Sequence, residues 1–293
     1  MDGSTLKRVT KENLATDYSG TTPPTLDLVN IGVTKRYNLL NYLGYKAVAT
    51  TTLSTTQINA LSATTPSSPY RYLGGVVHST PLVVTDSVTL NSSGNNVGSR
   101  KEYVVYGSME GGLHIVDAST GEEKSVFVPK EVLDNQDGKS LANSEFKETG
   151  TLSYGVDAPW TADNTFKVVS STSDGVTTTK YQATRMNIYG GLRMGGSALY
   201  GLNISSPTSP SLLFQITPST AGFSRMGQIW SKPTIADIRV KGERKRVLIF
   251  GGGYDASVYE KDATAFTEPT TATLGNAIYV VGASNGTWLW MAS

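Results

Sequence analysis

The feature that most restricts this chain is a unit of four short strand-like runs that occurs three times in the same internal order. The first unit is Pro81–Thr85, Tyr103–Gly107, Leu113–Asp117 and Lys124–Val128, each rich in Val, Ile, Tyr or Phe and bounded by Gly, Ser, Asn or Asp. The second is Tyr154–Trp160, Met186–Gly191, Ala198–Asn203 and Leu212–Ile216, and the third is Trp230–Ile238, Arg246–Gly251, Ala277–Gly282 and Thr287–Met291. Pro81, Pro159 and Pro233 mark the three leading strands and stand about 75 residues apart, the long, even period of a repeat whose units carry inserted loops. The proline sits at the start of the first leading strand and further along the other two, positions where a missing N–H does least harm. Every second strand runs into glycine, as YVVYG, NIYGG and LIFGGG. A β-sandwich also has short strands at regular spacing, but it does not require strand order, proline and glycine to recur together. The expected fold is therefore all-β, a β-propeller of four-stranded antiparallel blades near residues 79–128, 154–216 and 230–291.

Three blades do not close a ring that normally needs about four to eight, so the sequence reads as an incomplete propeller cut from a longer exported chain. Residues 71–293 hold the blades, and residues 1–70 are a Thr/Ser-rich lead-in. Pro23-Pro24 breaks helix there, and Tyr37–Tyr45 forms a short helix ended by Gly44. A helical turn is expected at Thr56–Ser62. Asp86–Arg100 reads as a polar hairpin loop and Glu131–Gly150 as a surface connection. Lys167–Ser171 and Thr177–Ala183, around Asp174-Gly175, read as a hairpin inserted into the second unit, and Tyr254–Gly275 as an insertion into the third.

Net charge of +1 gives no basic face for nucleic acid, no apolar run reaches the length of a membrane span, and the absence of cysteine removes disulfides and thiolate metal sites. Two histidines are too few for most metal or acid–base constellations. His78 and His114 are read as packed or hydrogen-bonded residues, and Ser79 beside His78 is no nucleophile–base pair because strand neighbours face opposite ways. Tyr189–Gly196 is glycine-dense, yet no helix pattern follows to make a phosphate cradle, so it reads as a hairpin. Asn135-Gln136-Asp137-Gly138 resembles the middle of a calcium loop, but Leu133 and Ser144 stand where its terminal acids belong. Lys241–Arg246 is read as a solvated turn, and Trp230, Trp288 and Trp290 as packing residues. No catalytic, cofactor-binding or metal residue is assigned, and the chain is expected not to be an enzyme.

The blocks GGVVHSTPLVV (Gly74–Val84), YGSMEGGLHIVDASTGEE (Tyr106–Glu123), FVPKEVL (Phe127–Leu133), WSKPTIADI (Trp230–Ile238) and LIFGGGYD (Leu248–Asp255) resemble the C-terminal propeller of the PilC/PilY-type proteins. YNLLNYLGY is similar to the segment leading into it. The resemblance implies an exported, pilus-associated or periplasmic protein at the bacterial surface. Its implied role is non-enzymatic, in type IV pilus biogenesis, retraction control and adhesion. The implied partners are pilus subunits or other pilus machinery, and a host surface or glycan. Some members carry a calcium loop; after Ala236-Asp237 this chain reads Ile-Arg-Val-Lys-Gly-Glu, which does not match it. Two alternatives stay open: a quinoprotein-like enzyme, because D-A-S-T-G-E and G-T-W-L-W echo quinone-binding propeller repeats, and a carbohydrate-binding module using the tryptophans.

Overall fold

Pro81, Pro159 and Pro233 each immediately precede the leading strand of a four-stranded unit in the computed structural model: β1 (Leu82–Asn91), β5 (Trp160–Ser173) and β9 (Thr234–Val240). The structure describes residues 6–10, 14, 31–43, 45, 54, 56–57, 60, 75–135, 140–141, 154–259 and 273–293. The sequence reading put Pro159 and Pro233 inside their strands. Both instead stand just outside, where proline removes no ladder hydrogen bond, and Tyr154–Pro159 and Trp230–Pro233 are lead-in segments rather than strand.

Blade 1 is β1, β2 (Lys101–Gly107), β3 (Leu113–Asp117) and β4 (Glu123–Phe127), paired antiparallel in sequence order. Blade 2 is β5, β6 (Val176–Gly191), β7 (Leu199–Asn203) and β8 (Ser211–Ile216), and blade 3 is β9, β10 (Glu243–Gly251), β11 (Ile278–Gly282) and β12 (Trp288–Ala292), in the same pattern. This is the expected series of propeller-type blades. Type I′ turns close two of the hairpins, with both central residues left-handed: Asp174-Gly175 (φ 51° and 77°) and Lys241-Gly242 (φ 51° and 85°).

The blades pack face to face. Val84, Tyr103 and Ile115 of blade 1 meet Trp160, Ile188 and Leu202 of blade 2 in one apolar cluster. Tyr189, Phe214 and Ile216 of blade 2 meet Leu248, Tyr279 and Val281 of blade 3 in a second. Ile188 and Tyr189 are adjacent in β6 yet belong to different clusters, because successive side chains point to opposite sheet faces. A blade buried on both faces is therefore largely apolar on both, which is why MNIYGG does not alternate; its one amide, Asn187, is buried and hydrogen-bonded to Tyr189 and Asn203. Each fully buried side chain of this size contributes about 1.5–3 kcal/mol. The terminal glycines have a packing reason. A Cβ on Gly107 would lie 2.0 Å from the Val156 carbonyl oxygen, and one on Gly191 would lie 2.7 Å from the Ile229 Cβ, so each blade's second strand ends against the lead-in of the next.

The start of the segment read as a polar hairpin loop, and the hairpin read as an insertion, are continuations of the blades. At a bulge beside Asp86, β1 leaves blade 1, and Ser87–Asn91 pairs antiparallel with Thr178–Gln182 of β6. Lys167–Ser171 and Thr177–Ala183 belong to β5 and β6 themselves. The result is a three-stranded ledge that joins blades 1 and 2 into one hydrogen-bonded sheet, while blade 3 is a separate sheet. Its polar composition resembled loop because the outer part of β5 is solvated on both faces, Phe166–Ser173 being exposed throughout, and Ser170, Ser171 and Thr172 pair through their hydroxyls with Thr179, Thr178 and Thr177.

The lead-in helix α1 spans Val33–Tyr42, four residues earlier than the apolar run suggested. Its position is set by packing: Leu39 and Leu40 bury with Leu14, Val132 and Leu141. Gly44 and Pro23-Pro24 lie outside the described residues, as do parts of Thr56–Ser62. There, Ser54 and Gln57 exchange the reciprocal hydrogen bonds of a capping box, and Ala60 N–H donates to the Thr56 carbonyl. Glu131–Gly150 is not wholly surface: helix α2 (Lys130–Asp134) buries Val132 against α1. The insertion after Tyr254 begins with α3 (Ala256–Tyr259).

Candidate functional site at the blade junctions

The lead-ins share a pattern that becomes visible once their prolines are aligned: His78-Ser79-Thr80-Pro81, Val156-Asp157-Ala158-Pro159 and Trp230-Ser231-Lys232-Pro233. At the second position, the Ser79 hydroxyl accepts the Gly107 N–H at 2.7 Å and the Ser231 hydroxyl accepts the Gly251 N–H at 3.3 Å, tying each lead-in to its own blade. Asp157 departs from this. Its carboxylate, only 1% exposed, accepts the His78 backbone N–H at 3.1 Å and the Arg193 Nη1 at 2.8 Å, with the His78 Nδ1 also 2.8 Å away.

Arg193 lies in the glycine-dense turn between β6 and β7 with φ of 54°, a left-handed conformation that costs a non-glycine residue energy. In return, its guanidinium lies 4.1 Å over the Trp230 ring, and Trp230 packs at a tilt against Tyr254, ring centroids 4.6 Å apart. One arginine thus links residues of all three blades. Its Nη1 is also 2.8 Å from the His78 Nδ1. A protonated Nδ1 donates to Asp157, whereas an unprotonated one accepts from Arg193, so the proton position on His78 selects its partner.

A second cluster is built on β3. The His114 Nε2 is 3.0 Å from the Ser108 hydroxyl, and its Nδ1 is 2.7 Å from the Glu123 carboxylate, the connectivity of a Ser–His–acid triad. The chemistry differs from that of a triad. Burial alone would pull this imidazole down, but the hydrogen bonds and charges of Glu110 and Glu123 outweigh it and push the pKa up to about 9. His114 is then an imidazolium at neutral pH, donating from both nitrogens. Its Nε2 has no lone pair to take the serine proton, and the Ser108 hydroxyl donates to the Gly112 carbonyl at 3.1 Å. Tyr106 stacks on the ring at 5.0 Å, and Ser108 and His114 are both buried.

The other residues singled out in the sequence fall as follows. Tyr189–Gly196 does join two strands, but sequence reasoning passed over Arg193, whose role depends on the lead-ins of other blades. Of Lys241–Arg246, only Lys241-Gly242 is turn; Glu243–Arg246 belong to β10, and Arg246 reaches across to Asp163 of blade 2 at 2.6 Å. Trp230 is half-buried at the junction, and Trp288 and Trp290 are 47% and 53% exposed rather than packed in a core. Gln136-Asp137-Gly138 lie outside the described residues.

No family model matches the chain. It is 28% identical over 195 residues to the type IV pilus biogenesis factor PilY1 of Pseudomonas aeruginosa (strain UCBPP-PA14), an alignment covering 62% of this chain and 15% of that protein. The matched portion is therefore a small part of PilY1's length. The crystal structure of the P. aeruginosa PilY1 C-terminal domain is 20% identical, with a TM-score of 0.37 over 65% of this chain and 29% of that one. Among the described residues, no helix is long and apolar enough to cross a membrane.

Proposed function

We propose that this chain is a non-enzymatic part of the type IV pilus machinery, exported to the cell surface or pilus, whose blades form a scaffold for pilus assembly, retraction control and surface attachment. The observation that carries the reading is its similarity to PilY1, a type IV pilus biogenesis factor. The cationic state of His114 supports a non-enzymatic role, because the one triad-like arrangement described above lacks a general base. The face suited to pilus subunits or other machinery proteins is the ledge. There Val88, Tyr181 and Val168 form a cross-strand row beside Phe166, and Val168 is 53% exposed. A rigid sheet presenting half-exposed apolar side chains is a binding surface with little to order on docking.

The test is a deletion of residues 75–293 in the parent organism, and separately Val168→Asp with Tyr181→Asp, each with export verified by surface immunoblot. Loss of surface pili, twitching motility or attachment is expected in both. Normal piliation, retraction and attachment in the exported deletion strain would refute the pilus reading.

A further inference from the structure

The outer half of β5 is an edge strand that no described residue covers. Thr165–Ser173 is exposed throughout, and Val168 and Val169, which point to opposite sheet faces, are 53% and 51% exposed. One side of this stretch pairs with β6 as far as Ser173↔Val176, and the backbone of its other side is free. Ser173 and Val176 flank the two-residue turn Asp174-Gly175 and therefore bond to each other. Alternation then gives Lys167, Val169, Ser171 and Ser173 to β6 and turns the N–H and C=O of Val168, Ser170 and Thr172 outward. The strand beyond β6 fixes the same phase. Val97 N–H donates to the Thr89 carbonyl and Asn91 N–H to the Asn95 carbonyl, so Val88 and Leu90 are the residues that bond to Tyr181 and Thr179. Thr178, Lys180 and Gln182 are thereby left for Ser171, Val169 and Lys167 of β5.

Protein edges of this kind are usually closed to other chains by proline, a bulge or a charge. Val168–Ser173 has none of these. Its strand's bulge lies behind it, between Thr165 and Phe166, and the nearest charges are Lys167 before it and Asp174 after it. Asp174 accepts from its neighbour Ser173 at 3.3 Å, and neither Lys167 nor Asp174 has an ion pair among the described residues. A strand with opposite, unanswered charges at its two ends is complementary to its own reverse.

We propose that a second copy of this chain pairs with this edge, antiparallel about a two-fold axis through Ser170, joining the two ledges into one sheet. In that register Ser170 faces Ser170 of the partner subunit, and Val168 faces the partner's Thr172. These are the outward residues, so each pair exchanges both of its N–H···O bonds. Lys167 lies opposite the partner's Ser173 and beside the partner's Asp174, and no like charges are opposed. Val169 gains the partner's Ser171 as its cross-strand neighbour, so both exposed valines lose surface to water. Other axes serve less well. One through Val168 would carry the ladder to Asn164, which is not exposed and donates to the Thr85 carbonyl, and one through Thr172 would run into the Asp174-Gly175 turn. Two-fold pairing uses up the edge on both copies, so assembly stops at the dimer. The inference does not rest on the pilus reading.

Sedimentation velocity over a concentration series tests this, on the full chain carrying Trp290→Lys so that the exposed tryptophan of blade 3 does not contribute. A reversible dimer is expected, of the weak class that small interfaces form. Ser170→Lys and Ser170→Glu each set like charges facing on the axis and should each weaken the dimer at least tenfold. The unfolding midpoint should stay unchanged, because Ser170 is exposed and its amide faces outward. An equal mixture of the two variants should dimerise again, one copy of each. Since the chain has no cysteine, Ser170→Cys carries its sole thiol, and a short bismaleimide should join two copies through it. The proposal is overturned by a chain that stays monomeric throughout the series, by variants that dimerise as their parent does, by a mixture that stays monomeric, or by a thiol that does not crosslink.

Discussion

His114 makes a pH-dependent contribution to stability whose size and sign follow from its surroundings. The imidazolium is 4% exposed, donates to Glu123 at 2.7 Å and has Glu110 at 3.6 Å, and its pKa stands near 9 against an ordinary 6.5. A raised folded-state pKa means that the folded chain holds the proton more tightly than the unfolded one. The contribution is therefore complete below about pH 6.5 and is lost as pH rises through about 9. The ceiling is about 3 kcal/mol, and solvent screening of the half-exposed Glu123 reduces it to roughly 1–2 kcal/mol. In urea unfolding at pH 6, 7.5 and 9.5, His114→Gln should fall below the wild type by that amount at pH 6, because the buried Glu110 loses its cation. The two proteins should converge in their pH-dependent part by pH 9.5. A wild-type-minus-variant difference that is constant across this range would refute the imidazolium assignment, and one that grows with pH would reverse its sign.

Other expectations follow from the same geometry. Ser108 should not react with fluorophosphonate probes at pH 7, as intact-mass spectrometry would show; stoichiometric labelling would restore an enzymatic reading. Gly107→Ala, which would place a Cβ 2.0 Å from a carbonyl oxygen, should cost about 2–4 kcal/mol in denaturant unfolding. Its counterpart Gly251→Ala meets only the Ser231 hydroxyl, at 3.7 Å, and should change stability by less than about 1 kcal/mol. Trp290→Lys should reduce self-association in sedimentation velocity, because Trp290 and Ile278 are 53% and 51% exposed on one apolar face of blade 3.

The blade series was legible because a strand packed on both faces leaves a nearly continuous apolar run, and because proline and glycine mark positions where backbone chemistry leaves little choice. Proline position was misjudged in blades 2 and 3, since Val156 and Trp230 look like strand residues although they pack as lead-ins. The ledge was hidden: Asp86–Asn91 is polar, and only its pairing with Thr178–Gln182 makes it strand. Side-chain clusters were less legible still. Ser108, His114 and Glu123 lie close in sequence, and a hairpin bringing them together could have been inferred from the strand assignment. Asp157, Arg193 and Trp230 come from separate blades, and nothing short of the packed array shows that they meet.

The strand exchange at Asp86 also sets how the array shares a mechanical load. Blades 1 and 2 are laced by an antiparallel ladder of five residue pairs between β1 and β6, whose hydrogen bonds must fail together when pulled along the strands. Blades 2 and 3 form separate sheets, held to each other by packed side chains, the Arg246–Asp163 pair and the stacking of Arg193 on Trp230. Tension across the molecule would therefore open the second seam first, with the first pair of blades still intact.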